Sequence, residues 1–507
     1  MALLRQMFRG VLSAAEFKSG AGVILICTVV EFLSVRAGIF MITSMVALVI
    51  CQRMLGGDLK AKLATYWIAV FLFPPLQASI PGLGDINRLI VLDHFRIAGL
   101  VLLLPSAFTL TFERREKRPA NWAMDIAIFA YPVVHILLQL QSATLSAILR
   151  ATTELVLDLG LPYYVMTRGV RTWEELRSLL RMTLLACMFA ASVAFLEAAL
   201  QKNIYSDLEW VYGMRWSLTH TLMRAGMNRV QAMTPEPIIF ALQILLTMGL
   251  WAGVAAVDCR KSVNRLVALM LAVAMFLTWS RGPWFGAIIF GMALLAVTRL
   301  SPRIFGILLV AALVGAVGLK AGGADENIMA LLKGVFGSSR EESGSIEYRN
   351  RLLDTALALI KQSPWTGVPN YAAGMQDLVQ GEGIIDLVNA YLTVMLESGA
   401  IGLVLFVAPF IVALSQILRA LRAAASDPEA RPQLLLLRAF AALIVGVMAT
   451  IFTTSVFERV PFILLLTLVV PSMVLGFIRR SEGQKKRGSW GNAPVSPAMA
   501  YQPSSAR

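Results

Sequence analysis

Residues 435–478 read LLLRAFAALIVGVMATIFTTSVFERVPFILLLTLVVPSMVLGFI, two apolar runs (435–455 and 461–478) joined by a few polar residues. Each run approaches the roughly 20 apolar residues that carry a helix across a bilayer. Neither alternates apolar and polar positions as a barrel strand would, so both read as spanning helices. Comparable runs lie at 21–36, 38–52, 63–79, 95–112, 121–141, 146–166, 178–200, 237–257, 265–280, 283–299, 303–320 and 399–418. The expectation is an all-α polytopic membrane protein with about 14 transmembrane helices and two large outer loops.

Composition agrees with that class. Of 507 residues, 57% are hydrophobic and only 15% charged, with mean hydropathy +0.70. Soluble domains carry about 25% charged residues, so a soluble fold is excluded, as are disordered and collagenous chains. The net charge is +14, from 45 Lys and Arg against 31 Asp and Glu. Most of the cations fall in alternate connections, such as Arg114–Arg118, Arg168–Arg181, Arg260–Arg265 and Arg419–Arg438. With the N-terminus inside, all of these lie in the cytoplasm, as do both chain ends. The excess is then mainly topology, and nucleic acid is not an expected partner. The basic, amphipathic N-terminus has no cleavage site and reads as retained. Neither the cysteines nor the histidines have metal-ligand spacing, so no metal or cofactor is expected.

The chain divides into N-terminal spans (1–200), a first outer loop (201–236), central spans (237–320), a large outer loop (321–398), C-terminal spans (399–480) and a disordered tail (481–507). Long loops of this kind usually carry function. No internal repeat is evident, which counts against a transporter of inverted halves.

The outer segments hold the cations that topology opposes. Arg215, Arg224 and Arg229 precede Thr234-Pro235-Glu236-Pro237, and Arg281 sits in Thr278-Trp279-Ser280-Arg281-Gly282-Pro283-Trp284 at a tight turn. Arg349 and Arg351 stand where an amphipathic helix over 350–362 is expected to begin, lying on the outer membrane surface and ending at Pro364. Asp386, Asn389, Thr393 and Glu397 fall at helical steps and predict one polar stripe near Tyr391. Arginine forks bind phosphate oxygens bidentately and keep their charge, so this set suits a lipid diphosphate. No P-loop or dinucleotide motif competes. Within one span, Arg150, Glu154 and Asp158 predict an internal ion ladder, and His94 beside Asp93 a local hydrogen bond.

In the order and spacing of these pieces, over roughly 220–420, the chain resembles the bacterial O-antigen ligase and polysaccharide polymerase family. The parts are Arg229 with TPEP, TWSRGPW, Arg349 before SPWTGV, Asn389-x-Tyr391-Leu, and Leu-Glu397-Ser-Gly. The resemblance implies a GT-C-like glycosyltransferase of the bacterial inner membrane that works on its periplasmic side. Donor and acceptor would be glycans on undecaprenyl diphosphate, no metal would be needed, and a flippase and chain-length regulator would be partners. It further implies that Arg281 and Arg349 stabilise the departing diphosphate, and that Arg215, Arg224, Arg229, Arg351, Asn389, Tyr391 and Glu397 contact substrate. Ligases of the family usually carry His just before the asparagine, where this chain has Val388. Asp386 is the remaining candidate base, and Glu397 the expected partner of an arginine. The Asp-x-Val-Asn form resembles exopolysaccharide polymerases, so polymerisation is expected. Ligation to another acceptor and non-enzymatic flipping are the alternatives.

Overall fold

Aspartate, threonine and proline at the starts of apolar runs decide where several helices of this chain begin. In the computed structural model the described residues are 12–37, 40–73, 77–81, 88–112, 121–140, 144–204, 222–224, 226–256, 258–298, 340–368, 370–379, 385, 387, 389–424, 428–456 and 459–491. The helices are α1 (Ala14–Ala37), α2 (Phe40–Met54), α3 (Leu59–Leu72), α4 (His94–Phe112), α5 (Trp122–Gln139), α6 (145–169), α7 (Trp173–Leu200) and α8 (Pro237–Ala255). They continue with α9 (Lys261–Leu277), α10 (Arg281–Thr298), α11 (Arg340–Gln362), α12 (Ala390–Ala423), α13 (Arg431–Ile451) and α14 (Val460–Gly491). Eight of these, α4, α5, α7, α8, α10, α12, α13 and α14, are long and apolar enough to cross a membrane. The protein is a multipass membrane protein.

Local chemistry sets the ends. Asp58 caps α3 by accepting from Ala61 N at 2.7 Å. Thr172 and Glu175 form a reciprocal capping box at α7, and Pro237 opens α8, where its missing N–H has no cost. Buried Arg459 donates to the carbonyls of Phe71 and Phe73, satisfying the last turn of α3.

Glycines bring α10 and α13 close. A Cβ on Gly282 would lie 1.7 Å from Thr453 Oγ1, and one on Gly286 1.9 Å from Thr450 Oγ1. Small residues are the usual means of close helix approach in a bilayer, where packing replaces the hydrophobic drive. At the other end of the bundle, the Asn121 amide donates to Gln416 Oε1 and Ser472 Oγ, at 2.8 and 3.0 Å, tying α5 to α12 and α14.

Several expectations change. The run at 63–79 ends as helix at Leu72, and Gln77–Pro81 pairs antiparallel with Arg88–Asp93. The run at 303–320 lies outside the described residues. The last helix continues to Gly491, into the segment expected as a disordered tail. Arg150 does not hold the acids on its own helix. Arg96 of α4 takes Asp158 through two nitrogens at 2.9 and 2.7 Å and Glu154 at 3.2 Å. The reason is geometric, since a fork facing two carboxylates across the helix pair satisfies both, where one ladder rung cannot. Asp93 caps α4 at Arg96 N, and the His94 ring sits edge-on to Phe73, 5.2 Å between centroids.

Candidate active site

The first outer loop returns as a small hairpin, Met223–Arg224 paired with Met227–Asn228 around Gly226 at φ +76. Buried Glu197, near the end of α7, clamps the two ends of that loop. Its carboxylate accepts from Ile204 N, Gln231 N and Ala232 N at 3.2, 3.0 and 2.8 Å. Ala232 is thereby kept at φ +48, a left-handed conformation that non-glycine residues adopt only when held.

This hairpin docks on the turn between α9 and α10. Val230 N donates to Leu277 O at 3.2 Å, and Arg224 Nη1 to Trp279 O at 2.9 Å. Arg229 donates from Nε to Thr278 O at 3.3 Å and from Nη2 to Ser280 Oγ at 3.0 Å, leaving Nη1 uncommitted among the described residues. Trp279 stands at φ +50, its ring buried against Phe276 and Trp284. Burial, and then neighbouring Arg224, push the Arg229 guanidinium down to about 10, with Glu236 opposing. An anion placed beside these two adjacent, partly dehydrated cations would offset both the burial cost and their mutual repulsion.

Arg281 comes directly after this turn as the exposed first residue of α10. Gly282 lies against Thr453, and the loop from Thr453 reaches α12: Ala390 N donates to Thr454 O at 3.1 Å and Ser455 Oγ to Leu387 O at 2.7 Å. Asn389 caps α12 through Oδ1, accepting from Leu392 N at 3.1 Å, and the Tyr391 hydroxyl donates to Met448 O at 2.8 Å. The start of α12 is thus tied to the start of α10.

α12 is broken at Gly399, at φ +62 and ψ −162. The Tyr391 and Phe406 rings are 6.0 Å apart, whereas on one straight helix those residues would stand about 22 Å apart. The first half therefore folds back beside the second, and its capped N-terminus, the positive end of its dipole, lies by the α10 start. The SPWTG turn makes the break: Val368 N donates to Leu396 O, Ala400 N to Pro364 O and Ile401 N to Trp365 O, at 2.6, 2.9 and 3.2 Å. A Cβ on Gly399 would be 2.3 Å from Trp365 O, so two motifs that look separate in the sequence form one interlock.

Arg224, Arg229, Arg281, Asn389 and Tyr391 are thus gathered at one end of the bundle. Arg215 and Asp386 lie outside the described residues. α11 starts at Arg340, so Arg349 and Arg351 are in its interior, not at its positive end, and Arg351 is exposed. The extra length comes from helix formers such as Arg340, Glu341 and Glu342, which lack apolar periodicity. Leu352, Ala356 and Ile360 of α11 pack on Met375, Leu378, Leu387 and Leu396, forming a small core of their own, while Leu353 and Leu357 are exposed. Of the stripe expected from Asp386 onward, Asp386 lies outside the described residues, Asn389 is the cap of α12, and Thr393 and Glu397 stand on its first half. Glu397 faces no arginine among the described residues. Its titratable neighbour is His135 of α5, Nδ1 to Oε2 3.8 Å. The sequence does not single out His135 or Glu197, whose only signal is a polar residue in an apolar run.

Residues 266–407 match the O-antigen ligase family model. The matched segment runs from α9 to the second half of α12. It takes in Arg281, α11, the SPWTG turn and the broken helix, while the Arg224–Arg229 hairpin and α13 lie outside it. The match supports the O-antigen ligase or Wzy-type family and a glycan-processing role in the membrane. No curated protein matches the chain.

Proposed function

We propose that this chain is a polysaccharide polymerase that transfers a growing glycan from undecaprenyl diphosphate to the next lipid-linked repeat unit. The observation that carries the reading is the docking of Arg224 and Arg229 on Thr278–Ser280, directly before Arg281 and beside a half-helix N-terminus. Fixed donors aimed at a leaving diphosphate supply the larger part of such catalysis, since they need not reorganise as charge develops. A hydroxyl oxygen of the acceptor attacks the donor's anomeric carbon. The bond from that carbon to the phosphate oxygen breaks, and its electron pair leaves with the diphosphate against Arg229, Arg281 and Arg349.

The hydroxyl proton goes to Asp386 in this reading. α12 starts at Ala390 with Asn389 as its cap, so the helical spacing that would oppose this role does not apply from Asn389 backward. Val388, where ligases of the resembled family carry histidine, favours polymerisation over ligation. A site confined to one end of the bundle favours an enzyme over a flippase. The charge of the loops supports a periplasmic placement of the site.

The test is made in cells that produce the polymer. Arg281→Ala should leave single lipid-linked repeats on the periplasmic leaflet and no long chains, at unchanged protein abundance. Repeats stranded on the cytoplasmic leaflet instead would point to flipping, and full-length chains would sink the reading.

A further inference from the structure

At the fold-back of α12 a second polar site lies apart from the arginines. Glu397 and Ser398 precede the break at Gly399, and His135 and Tyr131 face them from α5. His135 Nδ1 is 3.0 Å from Ser398 Oγ, and the Gln139 amide nitrogen is 2.8 Å from Nε2. A donating amide at Nε2 places the single ring proton on Nδ1, so the imidazole is neutral there and does not cancel the carboxylate. Tyr131 closes one side, its ring 5.7 Å from that of His135 and in contact with the Gly402 position. Tyr371 lies close enough on the other side for the Glu397 charge, after burial, to help push its hydroxyl up to about 12.

Among the described residues no hydrogen bond is donated to the Glu397 carboxylate, although only 25% of the side chain is exposed. A carboxylate has about four lone-pair sites, and leaving them empty while mostly dehydrated is costly. A ligand that donates to it would relieve that cost. A diphosphate cannot, being an anion itself, and among the described residues no arginine does. A neutral molecule rich in hydroxyls can. The walls suit one as well, since a tyrosine ring offers an apolar face to C–H groups and a polar tip to hydroxyls. The carboxylate stands about 10 Å along the half-helix from its capped N-terminus, which leaves room for sugar between the two sites.

We propose that Glu397, Ser398, His135, Tyr131 and Tyr371 form the acceptor-saccharide subsite, with the carboxylate taking hydrogen bonds from hydroxyls of the sugar to be extended. The inference rests on the glycan-transfer reading and adds to it the place and chemistry of acceptor recognition.

The probe is the soluble oligosaccharide released by mild acid from the lipid-linked repeats of cells lacking this chain. Binding of that oligosaccharide to the purified full-length protein in nanodiscs is measured without turnover. Glu397→Gln should weaken it at least about tenfold, because the amide gives up the charge and half the acceptors. Tyr371→Ala should weaken it severalfold, and Tyr371→Phe should leave most of it. In transfer assays with the lipid-linked repeat as donor, Glu397→Gln should raise the acceptor KM and leave kcat and donor KM within about twofold. Equal binding by wild type and Glu397→Gln, no binding by wild type, or a lost kcat at unchanged acceptor KM would each overturn the subsite. Failure of wild type to transfer glycan at all, with oligosaccharide binding intact and Glu397-dependent, would sink the polymerase reading and leave the saccharide site standing.

Discussion

Arg229 donates from Nη2 to the hydroxyl of Ser280 at 3.0 Å, fixing an arginine of the first outer loop to the residue just before Arg281. The bond joins cations from two distant segments into one seat. Arg229→Lys keeps charge but loses the fork, so glycan transfer should fall at least about tenfold. Ser280→Ala removes one neutral bond, worth about 1 kcal/mol, and should cost only severalfold. Chain-length gels of cellular glycans, normalised to protein abundance, would show the ranking. Equal activity of Arg229→Lys and wild type would mean that the fork is not used.

The seat should be recognised by the diphosphate and not by the lipid. Farnesyl diphosphate at 100 times its Kd should stabilise the protein by about 2.7 kcal/mol, read as a raised melting temperature. Farnesol should give little, and Arg229→Ala and Arg281→Ala should lose most of the shift. A shift of equal size with farnesol would show that the chain reads only the tail.

Glu197 holds the loop that carries Arg229. Its carboxylate receives three backbone N–H groups from 204–232 and is fully buried. Glu197→Gln turns one acceptor oxygen into a donor, and each orphaned N–H costs about 1–3 kcal/mol. The melting temperature should drop by several degrees and the farnesyl diphosphate shift should shrink with it. An unaffected ligand shift would separate the loop clamp from the anion seat.

Two glycines should respond differently to rescue. Gly282→Ala meets a side chain, Thr453 Oγ1 at 1.7 Å, so Thr453→Gly in the same protein should restore part of the lost stability. Gly399→Ala meets the Trp365 backbone at 2.3 Å in a conformation that only glycine adopts readily. It should cost more than about 3 kcal/mol, and no side-chain substitution should rescue it. Thermal unfolding of both single variants and the double variant checks this.

The features visible in the sequence are those written in consecutive residues. Apolar runs locate the eight span-length helices of the described residues, and an arginine in TWSRGPW between two such runs marks the turn at Arg281. The docking of Arg224 and Arg229 on that turn is legible only as charge that topology leaves unexplained. Features that depend on a distant partner are hidden. Arg96 pairs with Asp158 across 62 positions, and His135 meets Ser398 across 263. Nothing local distinguishes those side chains from others in apolar runs. The break in α12 falls at the expected start of a span at 399, but its sharp reversal is hidden for a related reason, since Gly399 alone permits a continued helix and the carbonyls of Pro364 and Trp365 decide otherwise. The start of α11 escapes a periodicity reading because its first turns carry polar helix formers and no apolar period.

The most direct measurement of polymerisation at the arginine seat uses purified protein and the lipid-linked repeat alone. Glycan length and released undecaprenyl diphosphate are followed together. Wild type should make chains of many repeats, with one carrier diphosphate freed for every glycosidic bond formed, and Arg281→Ala should give neither product. Long chains made by Arg281→Ala, or chain growth without release of the carrier diphosphate, would contradict a diphosphate leaving group held at that seat.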